Sequence, residues 1–177
     1  VAYANRWGGV IKLIGDVKNT GNGMLDIFVA PMLISEDSQL SSIDDVFNGI
    51  LVRGDATGDV VFYGKGAGKL PTASAVVADI VDCIKHLNAR KYLFWSDCDG
   101  SNVLPYDESV SAMYVRANGS IKTAQSVFNK ITQLHRENAP ENEIAFTTNE
   151  MKIKKFNEKI KELKENGVEV LNTIRIG

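Results

Sequence analysis

Between Ser109 and Ile176 the spacing of apolar residues keeps switching between the period of a strand and that of a helix, and few folds satisfy such an order. The runs SAMYVRA, ITQLHRE, IAFTT and VEVLNTIRI are short and rich in β-branched and aromatic residues, so they read as strands. IKTAQSVFNKI follows the first of them as a short segment. In MKIKKFNEKIKELKENG, Ile153, Phe156, Ile160 and Leu163 recur at three and four, Lys and Glu cover the other face, and Gly167 ends the run. The order is β-α-β-β-α-β, the split βαβ arrangement of a ferredoxin-like unit.

The first ninety residues follow another plan. Val1 to Trp7 reads as the last turns of a helix, stopped by Gly8-Gly9. The apolar runs VIKLIGDV and MLDIFVAPMLI flank Thr20-Gly21-Asn22-Gly23, whose residues tolerate positive φ, and predict a hairpin. After the polar stretch SEDSQLSSIDD come FNGILVRGD and DVVFYGKG, and the whole region is expected to form one sheet. From Pro71 to Leu87 the pattern turns helical through Ala75, Val76, Ile80, Val81, Ile84 and Leu87, which predicts a well-buried helix. NARKYLFWSDCDGSNVLPYDES loses periodicity and reads as a connection. The expected division is 1–90, a linker over 91–107, and 108–177, in an α+β chain with a mixed sheet and one packed helix ahead of the ferredoxin-like module.

Composition narrows the function classes. A formal net charge of −2 over 177 residues, with lysines interleaved among glutamates, disfavours nucleic-acid binding. Cys83 and Cys98 are too few for a disulfide framework and point to a reducing, cytoplasmic setting. No apolar run approaches the roughly 20 residues of a membrane span, and the start VAYANRWGG has neither a signal-peptide layout nor an initiator Met, which suggests a fragment.

The segment with most chemical content is FYGKGAGKLPTASAVVADI, where glycines lead straight into an amphipathic helix. Glycine lets a ligand approach the backbone, and a helix start offers free N–H groups at a positive dipole end. The same glycines equally serve a tight strand-to-helix turn. Neither the P-loop nor the dinucleotide fingerprint is matched: Leu70 and Lys69 stand where those patterns need other residues. His86 and His135 have no partner at metal-ligand spacing, so no metal site is expected. Ser74 and Ser111 lack a base in any recognisable motif, and the cysteines read as inert. Asp55 and Asp59 read as turn formers and Asp79 and Asp82 as solvated or capping carboxylates, while Tyr92, Phe94 and Trp95 could cover an interdomain gap or a dimer contact.

The string GKGAGKLPTASAVVADI, preceded by FNGILVRGDATGDVVFYG and by GGVIKLIG, VAPMLI and SSIDDVFNGI, resembles the carboxy-terminal half of bacterial homoserine dehydrogenases from about Trp7 to Leu87. The resemblance implies an oxidoreductase of threonine and methionine biosynthesis that interconverts L-homoserine and L-aspartate 4-semialdehyde with NADP or NAD. It implies that the Rossmann domain and the general base lie upstream, so the chain alone is inactive. It puts the cofactor at Gly68, with Gly66, Ala67 and Thr72 in the same loop and helix start. A homodimer, or a tetramer built from dimers, is implied as well. Ser109 to Ile176 resembles the ACT regulatory domains of that family, but Ala117-Asn118-Gly119-Ser120 stands where members usually carry an acidic residue and Pro-Gly. Asn118 and Gly119 are the loop positions for an amino-acid effector, and a plain structural turn is the competing reading. The alternatives for the chain as a whole are a stand-alone amino-acid-binding regulator and a non-catalytic dimerisation module.

Overall fold

In the computed structural model, which describes residues 1–89 and 94–177, the helix α1 (Ala2–Trp7) is closed by Gly8 in the left-handed region at φ 83°, as its sequence requires. Strands β1 (Gly9–Gly21) and β2 (Met24–Ser35) form the expected antiparallel hairpin, turned through Asn22 and Gly23 at φ 52° and 75°. They are followed by β3 (Phe47–Gly54), β4 (Gly58–Lys65) and α2 (Lys69–Lys85). The rest comprises β5 (Val110–Asn118), α3 (Ile121–Phe128), β6 (Ile131–Leu134), β7 (Glu143–Thr148), the short β8 (Met151–Lys152), α4 (Ile153–Glu165) and β9 (Glu169–Ile176).

Two compact units result. One joins residues 1–37 to residues 99–177, and the other is residues 38–98. These units do not follow the expected division at 90 and 107, because the β1–β2 hairpin shares its sheet with strands that come after residue 108.

In the first unit the strand order is β1-β2-β9-β5-β7-β6. All pairs are antiparallel except β2–β9, which runs parallel through Met32 opposite Arg175 and Leu33 opposite Ile176. The last four strands and their two helices keep the split βαβ order read from the periodicity. One sheet face carries Met113, Val115 and Ala117 of β5 and Phe146 of β7 against Val127 and Phe128 of α3 and Phe156 and Leu163 of α4, all buried. The opposite face packs Tyr3 and Ala4 of α1 on Leu33, Tyr114 and Ala145. Successive side chains of a strand point to opposite faces, so the alternation in SAMYVRA divides β5 between two cores. A buried relay ties hairpin to module: Ser109 Oγ donates to Asp26 Oδ2 at 2.6 Å, and Arg175 Nη2 donates to Ser109 Oγ at 2.9 Å. The Arg175 guanidinium also stacks 4.0 Å from the Phe28 ring centroid.

The second unit has a two-stranded ribbon, β3 against β4, in register from Phe47 opposite Lys65 to Gly54 opposite Gly58. Two expectations are corrected here. The strands of the first ninety residues do not make one sheet: β2 takes β9 at its free edge, and among the described residues β3 and β4 pair only with each other. Nor is α2 well buried, since none of its residues is buried. A single ribbon offers too little apolar surface to cover such a helix.

Candidate functional site

The glycine loop leaves β4 and enters α2 in the open. Residues 62–70 are all exposed, so no side chain among the described residues seals the loop. Gly68 sits at φ 118°, a region L-residues rarely adopt, and its carbonyl accepts the Thr72 N–H at 3.1 Å, which closes the first turn of α2. No side chain caps that turn and no acidic residue lies in it. The N–H groups of Lys69 and Leu70 are therefore available to an acceptor outside the helix, next to a positive dipole end. Gly66 lies against the Asn48 side chain, where a Cβ would collide with the amide. Thus Gly66, Ala67, Gly68 and Thr72 gather at one strand-to-helix junction that offers backbone rather than side-chain chemistry. Such a junction suits a phosphate or ribose group. Farther along α2, Val77, Ile80 and Ile84 are 59%, 52% and 70% exposed at three- and four-residue spacing, and Leu87, just past the helix end, is 77% exposed.

Asn118 and Gly119 lie at the end of β5, far along the chain from that loop. The Asn118 side-chain amide donates to Glu169 Oε2 at 3.0 Å, and the Gly119 N–H donates to the Asn142 carbonyl at 2.8 Å. At φ 148° Gly119 presses on Val168: a Cβ there would come within 3.0 Å of Cγ2 and 3.3 Å of Cα. Both residues have internal structural work.

Of the other residues weighed in the sequence, His86 Nδ1 lies 3.0 Å from Asp82 Oδ1 on α2, and Cys83 and Cys98 are exposed. Arg53 Nε holds Asp59 Oδ1 at 2.9 Å across the β3–β4 turn. Phe94 and Trp95 are exposed, and Tyr92 lies outside the described residues.

A polar cluster that pattern reading did not single out occupies the α1 face of the larger sheet. Arg136 Nη2 and Nε donate to Glu143 Oε1 at 2.8 and 3.1 Å, Tyr3 Oη donates to the same oxygen at 3.1 Å, and Arg116 Nη1 stands 3.9 Å from Oε2. Burial raises the pKa of the Glu143 carboxyl, but the hydrogen bonds from Arg136 and Tyr3 and the two guanidinium charges outweigh it and hold the group below the usual carboxylate value. Desolvation pushes the Tyr114 phenol up to about 12, against the smaller opposing charge of Arg116. Beside the cluster lies a cavity of about 420 Å³ between α1 and strands β1, β2, β5 and β9. The available signal was the alternation on β5, where Tyr114 and Arg116 occupy the face turned away from α3 and α4.

Residues 1–81 match the homoserine dehydrogenase family. The homoserine dehydrogenase of Neisseria gonorrhoeae is 39% identical over 123 residues, 66% of this chain and 28% of that protein. The chain is similar to homoserine dehydrogenases, and the match to the family lies in its first 81 residues. The Synechocystis homoserine dehydrogenase is 48% identical over 87 residues, 48% of this chain and 20% of that protein. Among solved structures, the homoserine dehydrogenase of Thiobacillus denitrificans aligns with a TM-score of 0.77 at 27% identity over 99% of this chain and 44% of that one. The Staphylococcus aureus homoserine dehydrogenase at pH 7.0 aligns with a TM-score of 0.66 at 31% identity over 98% of this chain and 43% of that one. The chain thus spans less than half the length of the homoserine dehydrogenases it matches. The stretch matched to the family contains Tyr3, Gly66, Ala67, Gly68 and Thr72, whereas Arg116, Asn118, Gly119, Arg136 and Glu143 fall after it.

Proposed function

We propose that residues 1–87 form one wall of the cofactor site and part of the pairing surface of an NAD(P)-dependent homoserine dehydrogenase, and that residues 108–177 are its ACT-like regulatory module. The reaction in this reading moves a hydride from the carbinol carbon of L-homoserine to NAD or NADP, releases a proton and leaves L-aspartate 4-semialdehyde. This belongs to threonine and methionine biosynthesis in the cytoplasm. The observation that carries the reading is the open glycine junction feeding a helix whose apolar stripe is exposed along its length. Surface of that kind is stabilised by a covering partner, and here the partner is the Rossmann domain of the same enzyme.

The residues fit a dinucleotide. NAD or NADP supplies the hydride acceptor when bound. Gly66 and Gly68 allow close backbone approach, the Lys69 and Leu70 N–H groups meet negative charge, and the Thr72 turn fixes their direction. Their contribution is positioning, which can supply several kcal/mol of barrier lowering in hydride transfer. Proton removal falls to a group outside this chain.

The test is a chimera in which this chain replaces the matching carboxy-terminal part of the Neisseria gonorrhoeae homoserine dehydrogenase. Homoserine-dependent reduction of NADP or NAD is expected, and Gly68→Val, which strains a φ of 118° and so lowers Tm as well, should lower kcat/KM by about 10- to 100-fold, or about 1.4 to 3 kcal/mol, at a temperature where circular dichroism shows the variant folded. A folded chimera whose activity ignores Gly68→Val would refute the assignment of the loop.

A further inference from the structure

The cavity under α1 lies on the sheet face opposite α3 and α4, and neither the glycine-junction residues nor Asn118 and Gly119 line it. Its volume of about 420 Å³ falls within the range of about 300 to 1,000 Å³ typical of small-molecule sites. The floor is apolar, from Ile11, Leu33 and Ile174, and one end is polar. Register explains the polar end. Across β5 and β9, Arg116 pairs with Asn172 and Tyr114 with Ile174, so guanidinium, amide and phenol stand side by side on one face.

The charges at that end do not balance. Among the described residues Arg116 and Arg136 share the carboxylate of Glu143, and Arg136 claims one of its oxygens with two donors. Arg116, whose side chain is 41% exposed, reaches the other oxygen only at 3.9 Å, beyond hydrogen-bond length, and its shielded Nε has no acceptor among the described residues. A buried N–H left unpaired costs on the order of a lost hydrogen bond, and an incoming carboxylate would satisfy it. The adjoining Tyr114 phenol remains protonated, and the Asn172 amide is an exposed donor beside it.

We propose that this cavity binds a small aliphatic carboxylate, with its carboxyl group on Arg116 and Asn172 and its alkyl chain on Ile11, Leu33 and Ile174. The site is independent of the dehydrogenase reading and of the effector turn, and would stand if either failed.

The test is a titration of the full 177-residue chain with isocaproate, followed by methyl NMR, against isocaproamide as the uncharged isostere. Saturable shifts at the Ile11, Leu33 and Ile174 methyls are expected with isocaproate, at a Kd of about 1 mM or tighter, and none with the amide. Arg116→Gln should weaken binding by at least about tenfold. Asn172→Asp, an exposed change that leaves the core intact, should weaken it similarly by placing a carboxylate where the ligand's would sit. Absence of saturable shifts, equal binding of the amide, or full affinity in folded Asn172→Asp would each overturn the proposal.

Discussion

Gly119 shows how much one missing Cβ can carry. Its φ of 148° is uncommon for an L-residue, and a methyl group there would meet both Val168 methyls and its Cα. Val168 is 3% exposed and belongs to the main core, so it has little room to retreat. Gly119→Ala should therefore cost about 1 to 3 kcal/mol, read as a lower urea midpoint at an unchanged m-value. A neutral result would show that the turn relaxes freely. At Glu143 the same scale sets a pH dependence. Its folded pKa lies below the ordinary 4.5, so the cluster's stabilisation is present above that value and disappears as pH falls through the folded one. Melting curves between neutral and about pH 3 should show Tm falling in the acid range, and Glu143→Gln should flatten that fall while lowering Tm at neutral pH by an amount equivalent to about 1 to 3 kcal/mol. An acid limb just as steep in Glu143→Gln would assign the loss to other carboxylates.

Elements differ in how openly their sequences declare them. The helix α4 was legible because Ile153, Phe156, Ile160 and Leu163 mark a single stripe, and that stripe meets the sheet. The β1–β2 hairpin was legible from its Asn-Gly turn. Periodicity also located α2 but misjudged its burial: the pattern says which face is apolar, whereas burial depends on what else folds against it. The same limit applies to the single sheet expected of the first ninety residues, since edge pairing such as β2 with β9 is a long-range choice that local spacing does not encode. The arginine cluster was illegible for a related reason. Tyr3, Arg116, Arg136 and Glu143 come from separate elements and meet only once the sheet is formed. These differences predict opposite responses to similar changes. Leu163→Ala, in a fully buried position, should destabilise the chain by about 2 to 5 kcal/mol. Ile80→Lys, on the exposed stripe of α2, should alter the stability of this chain by no more than about 0.5 kcal/mol while impairing the chimera described above. Equal losses in chemical denaturation would mean that α2 is covered within this chain.

At the scale of the whole molecule the question is what the remaining apolar surface meets. On one face of the hairpin, Leu13, Val17 and Val29 are 73%, 66% and 73% exposed, and the register sets Leu13 opposite Pro31 and Gly15 opposite Val29. The result is an uncharged apolar patch on the two-stranded surface. A two-fold axis would set this patch of one copy against the same patch of another, so pairing of two chains would bury it without new side-chain chemistry. Burial of three such aliphatic side chains is worth several kcal/mol before the entropic cost of association, enough for a dimer if the surrounding backbone fits. The expected outcome is a dimer by light scattering at micromolar to millimolar concentration, converted to monomer by Leu13→Lys with Val29→Lys. Both side chains point to solvent in one copy, so the double variant should keep its circular dichroism and most of its Tm, apart from whatever stability the dimer itself adds. A wild-type chain that stays monomeric at the highest concentration would leave the patch to another partner, and a double variant that still dimerises would move the interface elsewhere.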